Sequence, residues 1–243
     1  MITSLIRANA NNSGIYLSLI YDAEHKPVYI KKSASSPVSI KQLKNEIRGV
    51  SWYQTNSGIN QIAKIIELPG YYSVLFSFFS GKKANFRDGY WLNRPYIERA
   101  LEGYCEIWSK LPKHKIVIHG DYSIDNLIFS EKDLIIIDWE HFTYSNIPKG
   151  FDALNLLYEQ IYILSLKQNI SSRVIYHANA MLKRLEISDC LDKIFFNAPL
   201  DTMQEYLSDN SHIWGKQLNK LPIMKFDKLE CSNLDSKINL RNN

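Results

Sequence analysis

VIHGDYSIDNLIF, residues 117–129, sets a His-Gly-Asp directly after the apolar pair Val117 and Ile118, and an Asn five positions beyond the Asp. It reads as a short buried strand that ends in a polar turn. Asp121 and Asn126 share that turn. Twelve residues further on, the apolar run in IIIDWEHF, 135–142, delivers a second carboxylate, Asp138, at the end of another strand. Phosphoryl transfer needs this set: one carboxylate to orient an attacking hydroxyl and take its proton, and hard oxygen ligands that hold Mg2+ against nucleotide phosphates. Asp121 suits the first task, Asn126 and Asp138 the second.

Outward from this stretch, the pattern changes period twice. Upstream, SLIRANA (4–10), GIYLSLIYD (14–22) and PVYIKKS (27–33) alternate as strands separated by turn-rich residues. SIKQLKNEIRGVSWYQ (39–54) then carries Ile40, Leu43, Ile47 and Val50 at helical spacing, with Ser39 as the expected N-cap. AKIIELPG (63–70) and YSVLFSFFSG (72–81) complete an expected five-stranded antiparallel sheet with one helix after its third strand. RPYIERALEGYCEIWSKL (94–111) has a helical stripe of Ile97, Leu101, Tyr104, Trp108 and Leu111. NLIF and LIIID form an expected hairpin around SEKD. Helices are expected in 151–168, 171–186 and 200–207, ahead of a polar end.

Composition narrows the function classes. A chain of 243 residues with 45% hydrophobic content buries a sizeable core. Its three cysteines, Cys105, Cys190 and Cys231, lack any CxxC spacing, which fits reduced thiols rather than a disulfide framework or zinc ribbon. No segment reaches the roughly 18 uninterrupted apolar residues of a membrane span, and no export signal opens the chain, so a cytoplasmic protein is expected. The net charge of +4 is spread along the sequence and does not argue for nucleic acid.

HGDxxxxN followed by a strand ending in IDWE resembles the aminoglycoside phosphotransferase and choline kinase group. The segment DWEHFTYSNIPKGFDALNL, 138–156, is similar to the downstream pattern of choline and ethanolamine kinases. The resemblance implies an α+β, two-lobed protein-kinase-like fold: a small N-terminal antiparallel sheet with one helix, and a mainly helical C-terminal lobe. Its lobes map to 1–81 for the nucleotide and 82–228 for catalysis and acceptor, with 229–243 a polar tail. Asp121 is implied as catalytic base, with Asn126 and Asp138 as metal ligands and ATP and Mg2+ as cofactors. Such a kinase also needs a strand lysine on the phosphates and a helix glutamate to fix it. Lys31 of VYIKK and Glu46, fifteen residues later, are the expected pair; Lys32 is the rival, set aside because strand alternation turns it toward the core side. Asn12, Ser13 and Gly14 match the phosphate loop, and FSFFSG (76–81) the interlobe hinge.

Other residues carry blander readings. His119 reads as a buttress of the loop and Asp152 as a buried partner that orders it, while Glu140 is open between a metal or substrate contact and a structural carboxylate. The many aromatic rings read as core rather than as a cage for a quaternary ammonium, and Cys105 has no nucleophilic role. The expected activity is ATP-dependent transfer to a hydroxyl of a small molecule or saccharide. Only 38 residues separate Gly81 from His119, which favours an open acceptor cleft formed by helices after Asp152 and suited to a sugar or glycan. The alternatives are a choline/ethanolamine-type or aminoglycoside kinase, a non-catalytic nucleotide-binding pseudokinase, and a metal hydrolase.

Overall fold

The computed structural model of the chain describes residues 2–8, 14–111, 116–144, 147–167, 172–193 and 200. Strands β1 (Ile2–Ala8), β2 (Ile15–Tyr21) and β3 (Pro27–Ala34) precede helix α1 (Pro37–Ser57), and β4 (Ile62–Leu68) and β5 (Tyr71–Ser77) follow it. All five strands form one antiparallel sheet in the order β1-β2-β3-β5-β4. The pleat puts Ile30, Lys32 and Ala34 on one face of β3 and Tyr29, Lys31 and Ser33 on the other. Register carries the first set to Phe76, Val74 and Tyr72 of β5, which are buried with Ala34 in the core that Leu43, Val50 and Tyr53 of α1 complete.

The helix begins three residues earlier than its apolar spacing suggests. Ser36 is the cap: its Oγ accepts the Ser39 N–H at 3.1 Å, and Ser39 Oγ accepts the Ser36 N–H at 3.1 Å. Pro37 occupies the first helical position, where its missing N–H costs nothing. Ser39 is therefore the reciprocal partner in a capping box rather than the cap.

The second lobe opens with α2 (Gly89–Trp108), which runs through Pro95 instead of starting beside it. Two short hairpin-like pairs then build the site: β6 (Val117–Ile118) with β9 (Thr143–Tyr144), and β7 (Leu127–Phe129) with β8 (Leu134–Ile136). Helices α3 (Phe151–Lys167) and α4 (Ser172–Arg184) follow. Trp108 and Trp139 stack at 6.2 Å, Tyr104 stacks on Trp108 at 4.3 Å, and Trp52 of α1 closes on both tryptophans. Those rings are core. Reciprocal 2.9 Å backbone bonds between Lys82 and Phe129 tie the interlobe connection to β7.

Among the described residues no helix is long and apolar enough to cross a membrane. Asn12, Ser13, the expected helix beyond Leu200 and the polar tail 229–243 lie outside the described residues.

Candidate active site

The turn after β6 is held from below by α3. Asp152, the second residue of that helix and 2% exposed, accepts the His119 N–H through Oδ2 at 2.8 Å and the Gly120 N–H through Oδ1 at 3.2 Å. Burial outweighs these two bonds and pushes its carboxyl up to about 7. Gly120 has φ +83, and a Cβ there would lie 2.7 Å from His141 Cβ and 2.8 Å from its carbonyl oxygen. Only glycine lets the turn pass so close to the segment after Asp138.

His119 is fully buried, and its ring stands between two backbone groups. Nδ1 receives the Asp121 N–H at 3.2 Å, so Nε2 carries the proton and donates to the Ile137 carbonyl at 3.0 Å. Burial lowers its pKa to about 4, which keeps the ring neutral. The residue buttresses the loop, as its sequence context suggests.

Asp121 stands at the open end of this turn. Asn126 Nδ2 donates to its backbone oxygen at 2.9 Å and to Oδ2 at 3.1 Å, so the carboxylate orientation is fixed. Burial raises the Asp121 pKa, with His141 and the Asn126 bond opposing it. Because the Asn126 amide nitrogen faces Asp121, its carbonyl oxygen is the atom left to face a cation. The Ile137 N–H donates to the Asn126 backbone carbonyl at 2.9 Å, which leaves the side-chain amide oxygen unused and brings Asn126 beside the strand end that carries Asp138.

Asp138 meets the first lobe through a lysine. Lys32 Nζ donates to Glu46 Oε1 at 2.6 Å and to Asp138 Oδ1 at 2.7 Å. Burial acts to lower the lysine pKa, but the two carboxylates more than offset it and the net shift is upward. The same ammonium holds the Asp138 carboxyl below its usual range against the burial that would raise it. One cation between two carboxylates leaves a net negative charge.

The expected partner of Glu46 was Lys31, and the structure corrects this. Lys31 lies on the opposite face of β3, with its ammonium 5.8 Å from the Tyr71 ring centroid. The paired lysine is the one on the core side, because Glu46 approaches from α1 on that same face and Lys32 spans the gap. A lysine there is tolerated because it is paired twice. Gly14, with φ +71, sits at the start of α1: an added Cβ would lie 3.4 Å from Ser39 Cβ.

Sequence reading left other polar groups unassigned. Glu140 accepts from Gln42 Nε2 of α1 at 2.6 Å and lies 3.4 Å from His141 Nε2. That contact lowers the glutamate pKa and raises the histidine's. On α3, Asp152, Asn155 and Glu159 share one face at helical spacing. Asn155 Nδ2 donates to Glu159 Oε1 at 3.0 Å, and burial with the charge of Asp121 raises the Glu159 pKa to about 8. Three-residue and four-residue steps from the GFD aspartate were the available signal for this pair.

Among the described residues no group of three or more His, Cys, Asp or Glu side chains is placed to hold a metal ion. A magnesium nucleotide does not need such a cage, since Mg2+ keeps waters and phosphate oxygens and takes only one or two protein carboxylates. Asp138, with its side chain 39% exposed beside a surplus negative charge, and the Asn126 amide oxygen fit that donor set.

The topology and the two lobes define a class: an α+β fold of the protein-kinase type. The family model described as phosphotransferase enzyme family matches residues 77–147, less than a third of the chain, and that span contains Asp121, Asn126 and Asp138. Among solved structures, aminoglycoside phosphotransferase APH(3'')-Id from Streptomyces rimosus, determined in complex with ADP and streptomycin, matches with a TM-score of 0.56. Identity is 14%, over 87% of this chain and 97% of that one. No curated protein gives a significant match to the sequence. Over residues 77–147 the chain is thus similar to the phosphotransferase enzyme family, and the solved structure shares its fold.

Proposed function

We propose that this protein is an ATP-dependent phosphotransferase that moves the γ-phosphate to a hydroxyl of a small molecule or saccharide. The observation that carries the reading is the Lys32 ammonium, held between Glu46 of one lobe and Asp138 of the other while Asp138 adjoins the Asn126–Asp121 loop. A phosphate-binding cation, a metal-binding carboxylate and a base thus converge on one cleft.

In this mechanism Lys32 binds nucleotide phosphate oxygens and Glu46 fixes its ammonium. Asn12, Ser13 and Gly14, which precede β2 in the sequence, would contribute backbone N–H groups to phosphate oxygens. Asp138 and Asn126 would hold Mg2+, which neutralises the charge that develops on the phosphates. Asp121 orients the acceptor hydroxyl and takes its proton as the oxygen bonds to the γ-phosphorus and ADP leaves. Asn126 keeps Asp121 from rotating, and His119 and Asp152 keep the loop in place. Most of the rate enhancement is then positioning rather than covalent chemistry.

Asn155 and Glu159 extend the Asp152 face of α3 away from the loop and within the field of Asp121, which supports an acceptor bound along that helix. An amide and a carboxyl side by side suit hydrogen bonding to hydroxyl groups, in line with a saccharide acceptor. The solved neighbour's streptomycin is consistent with a small-molecule acceptor and does not choose between the classes. Transfer of labelled phosphate from ATP to a panel of monosaccharides, oligosaccharides, aminoglycosides and choline tests the reading. Turnover of saccharides is expected. Efficient turnover of choline or aminoglycosides alone would overturn the acceptor class, and no transfer together with no MgATP binding would overturn the reaction.

A further inference from the structure

Asp138 is a non-glycine residue in the left-handed region, with φ 65 and ψ 55. A side chain in that conformation is held by its surroundings rather than by local preference. The chain then makes a short 3-10 turn, Trp139–His141, before β9. What restrains the turn comes from the other lobe. Asn45 of α1 donates both amide hydrogens to it, one to the Glu140 carbonyl and one to the Phe142 carbonyl, each at 2.9 Å. Its amide oxygen receives Arg48 NH1 at 3.4 Å, which settles the orientation of the amide. One turn along, Gly49 faces the same segment so closely that a Cβ would lie 2.6 Å from Trp139 Cβ and 2.8 Å from Phe142 Cβ. Gln42, Asn45, Glu46 and Gly49 therefore form a continuous stripe of α1, at spacing three, four and seven, committed to residues 138–142.

We propose that Asn45 is a positioning residue for the metal-nucleotide site: it clamps the Glu140 and Phe142 carbonyls and so holds Asp138 in the conformation that meets both Lys32 and the cation. Glu46 fixes the Asp138 side chain through Lys32, and Asn45 fixes the backbone beneath it. The helix acts on the carboxylate at two points, and Gly49 lets it approach closely enough to do so. This inference rests on the phosphotransferase reading for the role of Asp138. The hold of Asn45 on the turn is independent of it.

Two measurements on full-length protein test the proposal. Hydrogen exchange in the nucleotide-free state reads the turn itself: Asn45→Leu, which keeps the branching but has no donors, should speed exchange of amides 139–142, while amides of β4 and β5 stay as in wild type. Calorimetric titration with ATP at a series of Mg2+ concentrations reads the consequence. The Mg2+ concentration for half-maximal nucleotide binding should rise about tenfold, a size typical of losing a group that orients a metal ligand. Gly49→Ala, which pushes the segment without removing a polar group, should give the same signature. Tyr53→Phe is the control, because it cuts another bond from α1 to the second lobe, the 2.7 Å contact to the Leu134 carbonyl, while keeping the ring that packs against Trp139. It should lower Tm and leave the Mg2+ dependence unchanged. If Asn45→Leu does not fold, Asn45→Ser, too short to reach both carbonyls, takes its place. Wild-type exchange at 139–142 in the Asn45 variant, or a Mg2+ shift no larger than that of Tyr53→Phe, overturns the proposal. A wild type that binds no magnesium nucleotide would instead overturn the phosphotransferase reading, and the exchange data would still decide for or against the clamp.

Discussion

Lys32 is the residue through which the two lobes share charge, so its removal has two effects. Lys32→Ala leaves Glu46 and Asp138 facing each other without a cation, which should lower both Tm and MgATP affinity, the latter about tenfold or more. Lys31→Ala, on the outer face beside Tyr71, should stay within about twofold of wild type on both counts. Titration calorimetry and a thermal melt compare the two directly; a nucleotide defect confined to Lys31→Ala would return the role to the neighbouring residue. Asp121 yields a pH prediction. It must be ionised to accept a proton, and burial raises its pKa above the ordinary carboxylate range. The rate should therefore fall as pH drops through that raised value, before the ordinary carboxylate range is reached. A rate that stays flat into the ordinary carboxylate range would count against Asp121 as the base.

At the scale of elements, the start of α1 shows how far local patterning reaches. Ser36→Ala removes one half of the capping box and should cost about 1 kcal/mol. For a chain of this size that corresponds to a fall in Tm of roughly 2–4 °C. An unaltered melt would show that the cap contributes nothing. The strands, α1 and the β7/β8 hairpin were legible because their period is carried by Ile30, Leu43, Ile47 and the apolar residues beside Asp138. The choice between Lys31 and Lys32 was not. Alternation correctly placed Lys32 on the side facing α1, but a charge on the core side looked unfavourable until the pairing with two carboxylates from elements fourteen and 106 residues away was visible. The start of α2 was misplaced for a related reason: Pro95 usually marks a first turn, yet Asn93 bonds to Asn85 and Gln160 and holds the helix one turn further back.

For the whole molecule, the buried Asp152 and the half-buried Glu159 shape the response to pH. Asp152 and Glu159 are pushed by burial from ordinary values of 3.8 and 4.5 up to about 7 and about 8. A carboxyl with a raised folded pKa binds its proton more tightly when folded. Its favourable contribution is present below the unfolded pKa and is lost as pH rises through the folded one. Their part of the stability should therefore decline between about pH 4 and pH 8, against the opposite contribution of His119, whose lowered pKa favours the folded state as pH rises from about 4. Glu159→Gln, permanently neutral, should make the measured slope less negative; an unchanged slope in thermal melts across this range would show that Glu159 is not protonated in the folded state. The acceptor side, where Asn155 and Glu159 lie, was the least legible part of the sequence, since helical spacing from Asp152 names the face but not what faces it.

The central claim is that Asp121 acts on the acceptor while Asp138 holds the metal, so the two carboxylates should fail differently in one calorimetric titration with MgATP coupled to turnover on the active acceptor. Asp121→Asn should bind MgATP as wild type does and lose about 10² to 10⁴ in kcat. Asp138→Asn should lose the magnesium-dependent part of nucleotide binding itself. Undiminished turnover in Asp121→Asn, or undiminished magnesium-dependent binding in Asp138→Asn, would contradict the account.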